Sequence, residues 1–387
     1  MTQIPHIQNC PCTLAAGYST YSPTALRRMF DNKKVSHLLD FSNDATNRAL
    51  IDDNIGRISI SGVQEKLSAI VEKGKVRLTP AGVRGMYIIK PAPEDKRIKY
   101  QNFMPANEHL TMQIARQVYG IATAENAMIF FQNGAPAYIT KRFDTQADGV
   151  KIKQEDFASL QQKSAETHGK HFKYTGSYTD MGLLFPKYVA AWQVEVSKFF
   201  RLLVFNYLFA NGDAHLKNFS LQQSPNGDYL LSPAYDLLNS TLHISDENFA
   251  LAGGLFANGD AHLKNFSLQQ SPNGDYLLSP AYDLLNSALH ISDESFALAG
   301  GLFSKEYYSE VYQQKGHPCQ DDFITLGKII NVPDSQVQKI LKDFTAPKPL
   351  VYTLTNRSFL DGRLQRTYLR SYQERLSRLQ RTTSPLK

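Results

Sequence analysis

The sequence predicts an α+β protein in two lobes, a small β-rich lobe followed by a larger helical one. Three observations carry this expectation. Between residues 57 and 145 the hydrophobic pattern runs strand, strand, helix, strand, strand, broken by Gly and Pro. From about residue 154 the periodicity turns helical. Residues 194–209 are almost wholly apolar and run straight into the polar stretch Asn211-Gly-Asp213. That is the pattern of a buried helix feeding an exposed loop.

Taken in order, the first 56 residues are interrupted by Pro11, Gly17 and Pro23, with a helical run near Thr24–Phe30. Arg57–Ile70 alternates as strand–turn–strand around Ser61-Gly62, and Val76–Leu78 and Met86–Lys90 follow as strands, the second stopped by Pro91. Asn107–Gly120 places Leu110, Ile114 and Val118 at helical spacing with a glycine past its end. Ala127–Phe131 and Ala137–Phe143 read as a hairpin through Asn133-Gly134. Asp322–Ile330 and Asp334–Phe344 read as helices. Residues 361–381 form an amphipathic helix, with Leu364, Tyr368, Tyr372, Leu376 and Leu379 on one side. Its arginines 363, 366, 370, 375, 378 and 381 are expected in solvent. The expected units are 1–56, 57–145 and 146–387.

Composition narrows the class. A chain of 387 residues, 42% hydrophobic and 20% charged, has globular values and room for two or three packed units. No apolar run reaches the length of a membrane span, and Met1-Thr-Gln-Ile-Pro-His opens no signal sequence. With only Cys10, Cys12 and Cys319 there is no disulfide framework, so a cytoplasmic protein is expected. His6, Cys10 and Cys12 lack a second ligand pair at any usual zinc spacing. A net charge of +6 permits an acidic partner without requiring one.

One block occurs twice. Residues 255–301 repeat 208–254 with two changes, Thr241 to Ala288 and Asn248 to Ser295. Solenoids need three or more diverged units, so this is a tandem duplication rather than an architectural repeat. The first copy keeps its apolar lead-in, which favours it as the copy in the core, with 255–301 looping out after Gly253-Gly254. The competing arrangement is a hybrid, its loop from copy one and Asp283 from copy two.

The block carries the chemistry. Asp213, Asn218 five residues on, and Asp236 after a hairpin are the trio that phosphoryl transfer from ATP needs. One carboxylate orients the attacking hydroxyl, while an amide and a second carboxylate hold Mg2+. The spacing matches the catalytic loop of protein kinases. Asp260, Asn265 and Asp283 are the duplicates. Lys90 ends a strand and Glu108 lies on the next helix, the usual pair for the α- and β-phosphates. Lys217 is placed to reach the transferring phosphate, and His215 to pack or orient the loop. Ser59–Gln64 stands where a phosphate-covering loop belongs, with Ser61 and Gly62 at its turn. Phosphate on Ser59 or Ser61 would bring about −1.5 to −2 charges beside the γ-phosphate and expel loop or nucleotide.

Ser61-Gly-Val-Gln-Glu-Lys66, Tyr87-Ile-Ile-Lys-Pro91, Asn107-Glu108-His109, Lys141-Arg-Phe-Asp144, Gln154-Glu-Asp-Phe157, Asn211–Leu221 and Pro233–Leu237 resemble, in content and order, the successive motifs of HipA-family serine/threonine kinases. The resemblance covers about residues 57–345; Gly17–Ser22, Lys33–Ser36 and the Ser59-Ile-Ser61 pair are more similar to the short HipT type. It implies a protein-kinase-like fold, ATP and Mg2+ as cofactors, Asp213 as catalytic aspartate, Asn218 and Asp236 as metal ligands and Lys90 on ATP. Arg142 and Phe143 would lie near the adenine, and Ser59 or Ser61 would be autophosphorylated. It further implies a toxin of a toxin–antitoxin module that inhibits translation, a trait tied to persistence, by phosphorylating a glutamyl- or tryptophanyl-tRNA synthetase. The implied partners are a HipB-like helix-turn-helix antitoxin, through which alone DNA is met, and a small HipS-like protein; no membrane is involved. The family pattern lacks the second block. The rival expectations are a kinase-fold binding module disabled by the insertion, and a small-molecule kinase.

Overall fold

The computed structural model describes the chain apart from residues 1–6, 56–64, 81, 96–97, 147–149, 244–267, 271–275, 279–295, 304–306 and 383–387. Five strands build one antiparallel sheet: β1 (Leu67–Glu72), β2 (Lys75–Leu78), β3 (Tyr87–Pro91), β4 (Asn126–Phe130) and β5 (Pro136–Lys141), in the order β2-β1-β3-β5-β4. Successive side chains of a strand face opposite ways, and here both faces are covered. Tyr87, Ile89, Ala127, Ile129, Ala137 and Ile139 enter one core. Met128, Phe130 and Tyr138 enter another. Lys90 lies on the second face, opposite Tyr138 in register.

The N-terminal stretch closes the first core. Its helix α1 (Pro23–Phe30) starts at Ser22, whose hydroxyl accepts from the Ala25 amide at 3.2 Å. Tyr21, Met29, Phe30, Leu39 and Phe41 pack there together with Cys10 and Cys12. The sequence pattern did not foresee α2 (Arg48–Ile55). Its Asn54 accepts from the Ser68 amide at 2.7 Å and so ties the helix to β1. The strand–turn expected around Ser61-Gly62 lies outside the described residues.

The second core begins with α3 (Met104–Gln117), buried from Pro105 to Ala115 between the sheet and the helices that follow. Four short helices, α4 (Phe157–Leu160), α5 (Ala165–His168), α6 (Tyr178–Gly182) and α7 (Phe185–Tyr188), lead to α8 (Trp192–Leu208), the predicted apolar helix. A small sheet of β6 (Gln154–Asp156), β7 (Ser220–Gln223) and β8 (Tyr229–Leu231) flanks it, in chain order. Helices α9 (Glu310–Lys315), α10 (Gln320–Ile329), α11 (Asp334–Thr345), α12 (Pro349–Arg357) and α13 (Gly362–Leu379) complete the lobe. Leu364, Tyr368, Tyr372 and Leu379 of α13 are buried. Arg375 departs from its expected place in solvent: it is 8% exposed, its guanidinium 5.1 Å from the centre of the Tyr207 ring. A planar cation on an aromatic face keeps its charge in a packed setting. Among the described residues no helix is long and apolar enough to cross a membrane.

The duplicated block is divided in an unforeseen way. Copy one supplies the core through His243, but Phe296, Leu298, Leu302 and Phe303 also belong to the core. These residues span the end of copy two and the residues just past it. Phe296–Leu298, expected to loop out with 255–301, are thus buried, while 244–267, 271–275 and 279–295 lie outside the described residues. The reason is connectivity: α8 runs directly into copy one, while the end of copy two runs directly into α9. In copy two, β9 (Leu268–Gln270) pairs with β10 (Tyr276–Leu278) as a separate two-stranded sheet. Its register, Tyr276 opposite Gln270, repeats that of Tyr229 opposite Gln223 in β7 and β8. The hairpin is thus specified by local sequence.

Candidate active site

The site lies where β3, α3, the loop after α8 and the segment after β8 meet. Burial places Lys90 where its charge needs partners. Its Nζ, 5.3 Å from the centre of the Tyr138 ring, donates to Glu108 Oε1 at 2.7 Å and to Asp236 Oδ1. Burial works against the Lys90 cation, yet the two carboxylates hold its pKa above the ordinary value. Burial likewise pushes the Glu108 carboxyl up, Lys90 countering it. For Asp236 the balance goes the other way. Burial would raise it, but Lys90 and then Lys66 hold it down to about 2.

Asp236 has φ 54, a left-handed conformation uncommon outside glycine though tolerated by aspartate. Its flanks hold it there. Ala234 exchanges backbone bonds with Ala122 and Ala124 at 2.8 and 2.9 Å, on the stretch between α3 and β4. On the other side the Asn239 amide donates to Asn107 Oδ1 at 3.1 Å, and Asn107 Nδ2 donates to the Asn239 carbonyl at 2.8 Å. Asn107 Nδ2 also meets His243 Nε2 at 2.9 Å, while His243 Nδ1 lies 2.9 Å from the Lys99 carbonyl. Neighbours on α3 thus divide the labour: Asn107 secures the segment carrying Asp236, and Glu108 secures the lysine facing it.

The loop after α8 is built from its own polar side chains. Ala210, at φ 50, turns the chain out of the helix. Buried Asn211 donates from Nδ2 to Asn206 Oδ1 at 3.0 Å, and Asn218 Nδ2 donates to the Asp213 carbonyl at 2.8 Å, closing the loop. With its amide nitrogen so used, Asn218 has its side-chain carbonyl as a ligand atom. The Asp213 carboxylate accepts from the Tyr174 hydroxyl at 3.0 Å. His215 packs edge-on against the Tyr174 ring, and burial keeps its pKa below the ordinary value, against the pull of Asp213. Lys217 Nζ is bound to Asp156 Oδ2 at 2.6 Å. Arg142 grips Asp144 through two bonds of 2.9 and 2.6 Å, and Phe143 lies 5.4 Å from the Tyr235 ring.

Of the residues singled out in the sequence, Lys90, Glu108 and Asp236 touch, and Asp213 and Asn218 share one loop. Arg142 and Phe143 stand at the end of β5. Ser59, Ser61, Gly62, Asp260, Asn265 and Asp283 lie outside the described residues. Sequence reasoning gave no role to Lys66, Asp156 or Tyr174. The first two stood inside recognised motifs; Tyr174 carried no signal, being one aromatic in a Lys- and His-rich stretch.

These lobes and this cleft define a protein-kinase-like fold. The chain belongs to the family of the HipA-like C-terminal domain, whose model matches residues 58–255 and 248–348, two stretches that overlap at the junction of the repeats. A Haemophilus influenzae protein named "Putative kinase" is 28% identical over 57% of this chain and 64% of its own length. The Sinorhizobium fredii "Putative kinase Y4dM" is 33% identical over 51% of this chain and 48% of its own. The chain thus spans about half to two thirds of these relatives. Among solved structures, HipA of Shewanella oneidensis, in complex with HipB and operator DNA, matches with a TM-score of 0.52. The match is at 16% identity over 84% of this chain and 65% of that one.

Proposed function

We propose that this protein is an ATP-dependent serine/threonine kinase, the toxin of a HipBA- or HipBST-type module, which phosphorylates an aminoacyl-tRNA synthetase, tryptophanyl or glutamyl, and so inhibits translation. The observation that supports it best is the buried Lys90 held between Glu108 and Asp236, beside the loop of Asp213 and Asn218. A lysine with that partner positions phosphates, and oxygen ligands such as Asp236 and Asn218 suit Mg2+. When bound, the metal would neutralise charge on the β- and γ-phosphates. Asp213 would orient the acceptor hydroxyl and take its proton as the phosphoryl group moves. Lys66, near Asp236, would add a second positive charge toward the phosphates. Arg142 and Phe143 would border the adenine, and Ser59 or Ser61 would accept phosphate in autophosphorylation. The partners in this reading are a HipB-like antitoxin that carries the contact with DNA, as HipB accompanies HipA in the Shewanella complex, and a small HipS-like protein.

The test is labelling of a cell lysate with γ-labelled ATP by wild type, Asp213→Asn and Asp260→Asn. Wild type and Asp260→Asn should label one band of synthetase size, and Asp213→Asn none. Equal labelling by wild type and both variants would end the kinase reading. Loss with Asp260→Asn alone would transfer the role to the second copy.

A further inference from the structure

Two tyrosines hold the Asp213 loop from one side. The Tyr174 hydroxyl donates to Asp213 Oδ1 at 3.0 Å, and the buried Tyr178 hydroxyl donates to the carbonyl of the next residue, Ala214, at 2.8 Å. Burial, then the Asp213 charge, raise the Tyr174 pKa, so the phenol stays a donor. The segment carrying both tyrosines follows two short helices, and Lys163 Nζ donates to its Thr175 carbonyl at 3.0 Å. The end of the second repeat is bonded to it along the backbone. The Ala299 amide donates to the Tyr174 carbonyl at 2.9 Å and the Gly300 amide to the Gly176 carbonyl at 2.9 Å. In return the Tyr178 and Thr179 amides donate to the Gly301 and Leu302 carbonyls, each at 3.0 Å. Phe296 stacks edge-on against Tyr178 at 5.6 Å. The approach is close: a Cβ on Gly300 would lie 2.7 Å from the Gly176 oxygen.

We infer that Tyr174 is a positioning residue for Asp213, and that the stretch Phe296–Leu302 closing the second repeat sets it in place. An aspartate on a loop turns about its own side-chain bonds. A donor fixed on Oδ1 stops that rotation and presents the other oxygen to an incoming hydroxyl. The backbone half of the same task falls to Asn218, which holds the Asp213 carbonyl. This inference rests on the reading of Asp213 as the acceptor-orienting carboxylate. It assigns to the end of the duplicated sequence a part in the site, through the bonds of residues 299–302 to the segment carrying the tyrosines.

The test measures ADP release from Mg2+·ATP by the full chain, with kcat and KM for ATP, for wild type, Asp213→Asn, Tyr174→Phe, Gly300→Val and the last two combined. Tyr174→Phe removes one oxygen and leaves the ring. It should lower kcat about tenfold or more, the worth of a hydrogen bond to a charged group, with KM within about twofold. Gly300→Val should lower kcat similarly, and the combination no further than the worse single change, because both act through one hydrogen bond. Should Gly300→Val not fold, Tyr174→Phe alone decides. Wild-type turnover in Tyr174→Phe, with Asp213→Asn inactive, overturns the inference and leaves the kinase reading standing. Faster turnover in Tyr174→Phe also overturns it, marking the phenol as an occupant of the acceptor's place. Equal turnover in wild type and Asp213→Asn overturns the inference together with the reading of Asp213 as the acceptor-orienting carboxylate.

Discussion

Lys90 on β3 and Glu108 on α3 meet at 2.7 Å with both side chains nearly closed to solvent. Removing the cation alone leaves two carboxylates facing a low-dielectric site. Lys90→Met should therefore destabilise the fold by about 3 kcal/mol, the usual cost of breaking a buried pair from one side. Adding Glu108→Leu should recover much of that loss but no phosphoryl transfer. Urea unfolding of the single and double variants checks this. A double variant no more stable than Lys90→Met would show that Glu108 is not the group left stranded.

Lys66 is held below its ordinary pKa by burial, Asp236 opposing, and stands among Lys90, Glu108 and Lys173. If it faces phosphate, Lys66→Met should weaken Mg2+·ATP binding about tenfold and barely change stability. Titration calorimetry with Mg2+·ATP gives the answer. Unchanged affinity would confine Lys66 to neutralising Asp236.

Acid should loosen the fold in two stages. Burial holds His109 and His243 neutral, each down to about 4. An unfolded histidine titrates near 6.5. Below about 6.5 the unfolded chain binds protons that the folded chain refuses, so stability falls between about 6.5 and 4, by up to about 3 kcal/mol per histidine. Asp236, depressed to about 2, contributes stability above about 4 that is lost as pH falls toward 2. His243→Gln should flatten the first stage, seen as unfolding midpoints at pH 7.5, 6 and 5. A slope unchanged by that substitution contradicts the assignment.

Gly182 on α6 sits against α10, where an added Cβ would lie 2.4 Å from Ile330 Cγ2. Gly182→Ala should cost about 1–3 kcal/mol by overpacking. A melting curve identical to wild type would mean the two helices stand further apart.

Much of this was legible in the sequence because it is local. The strand stopped by Pro91 and the helical spacing of Leu110, Ile114 and Val118 put Lys90 and Glu108 on successive elements, and the Asp213–Asn218 spacing fits one loop. What stayed hidden depends on partners distant in the chain. Arg375 leaves solvent against the ring of Tyr207, far away in the chain. Tyr174 gains its role from a loop 39 residues away. The division of the repeats had no local sign, since Phe249–Gly254 and Phe296–Gly301 are identical in sequence.

The near-identity of the two repeats lets a deletion of one repeat length leave no scar. Recombination that removes any one repeat length, with its first deleted codon anywhere from position 208 to 255, yields products differing only at the positions of Thr241 and Asn248. Each contracted polypeptide would join the same front half to the same closing stretch, with no seam for selection to mend.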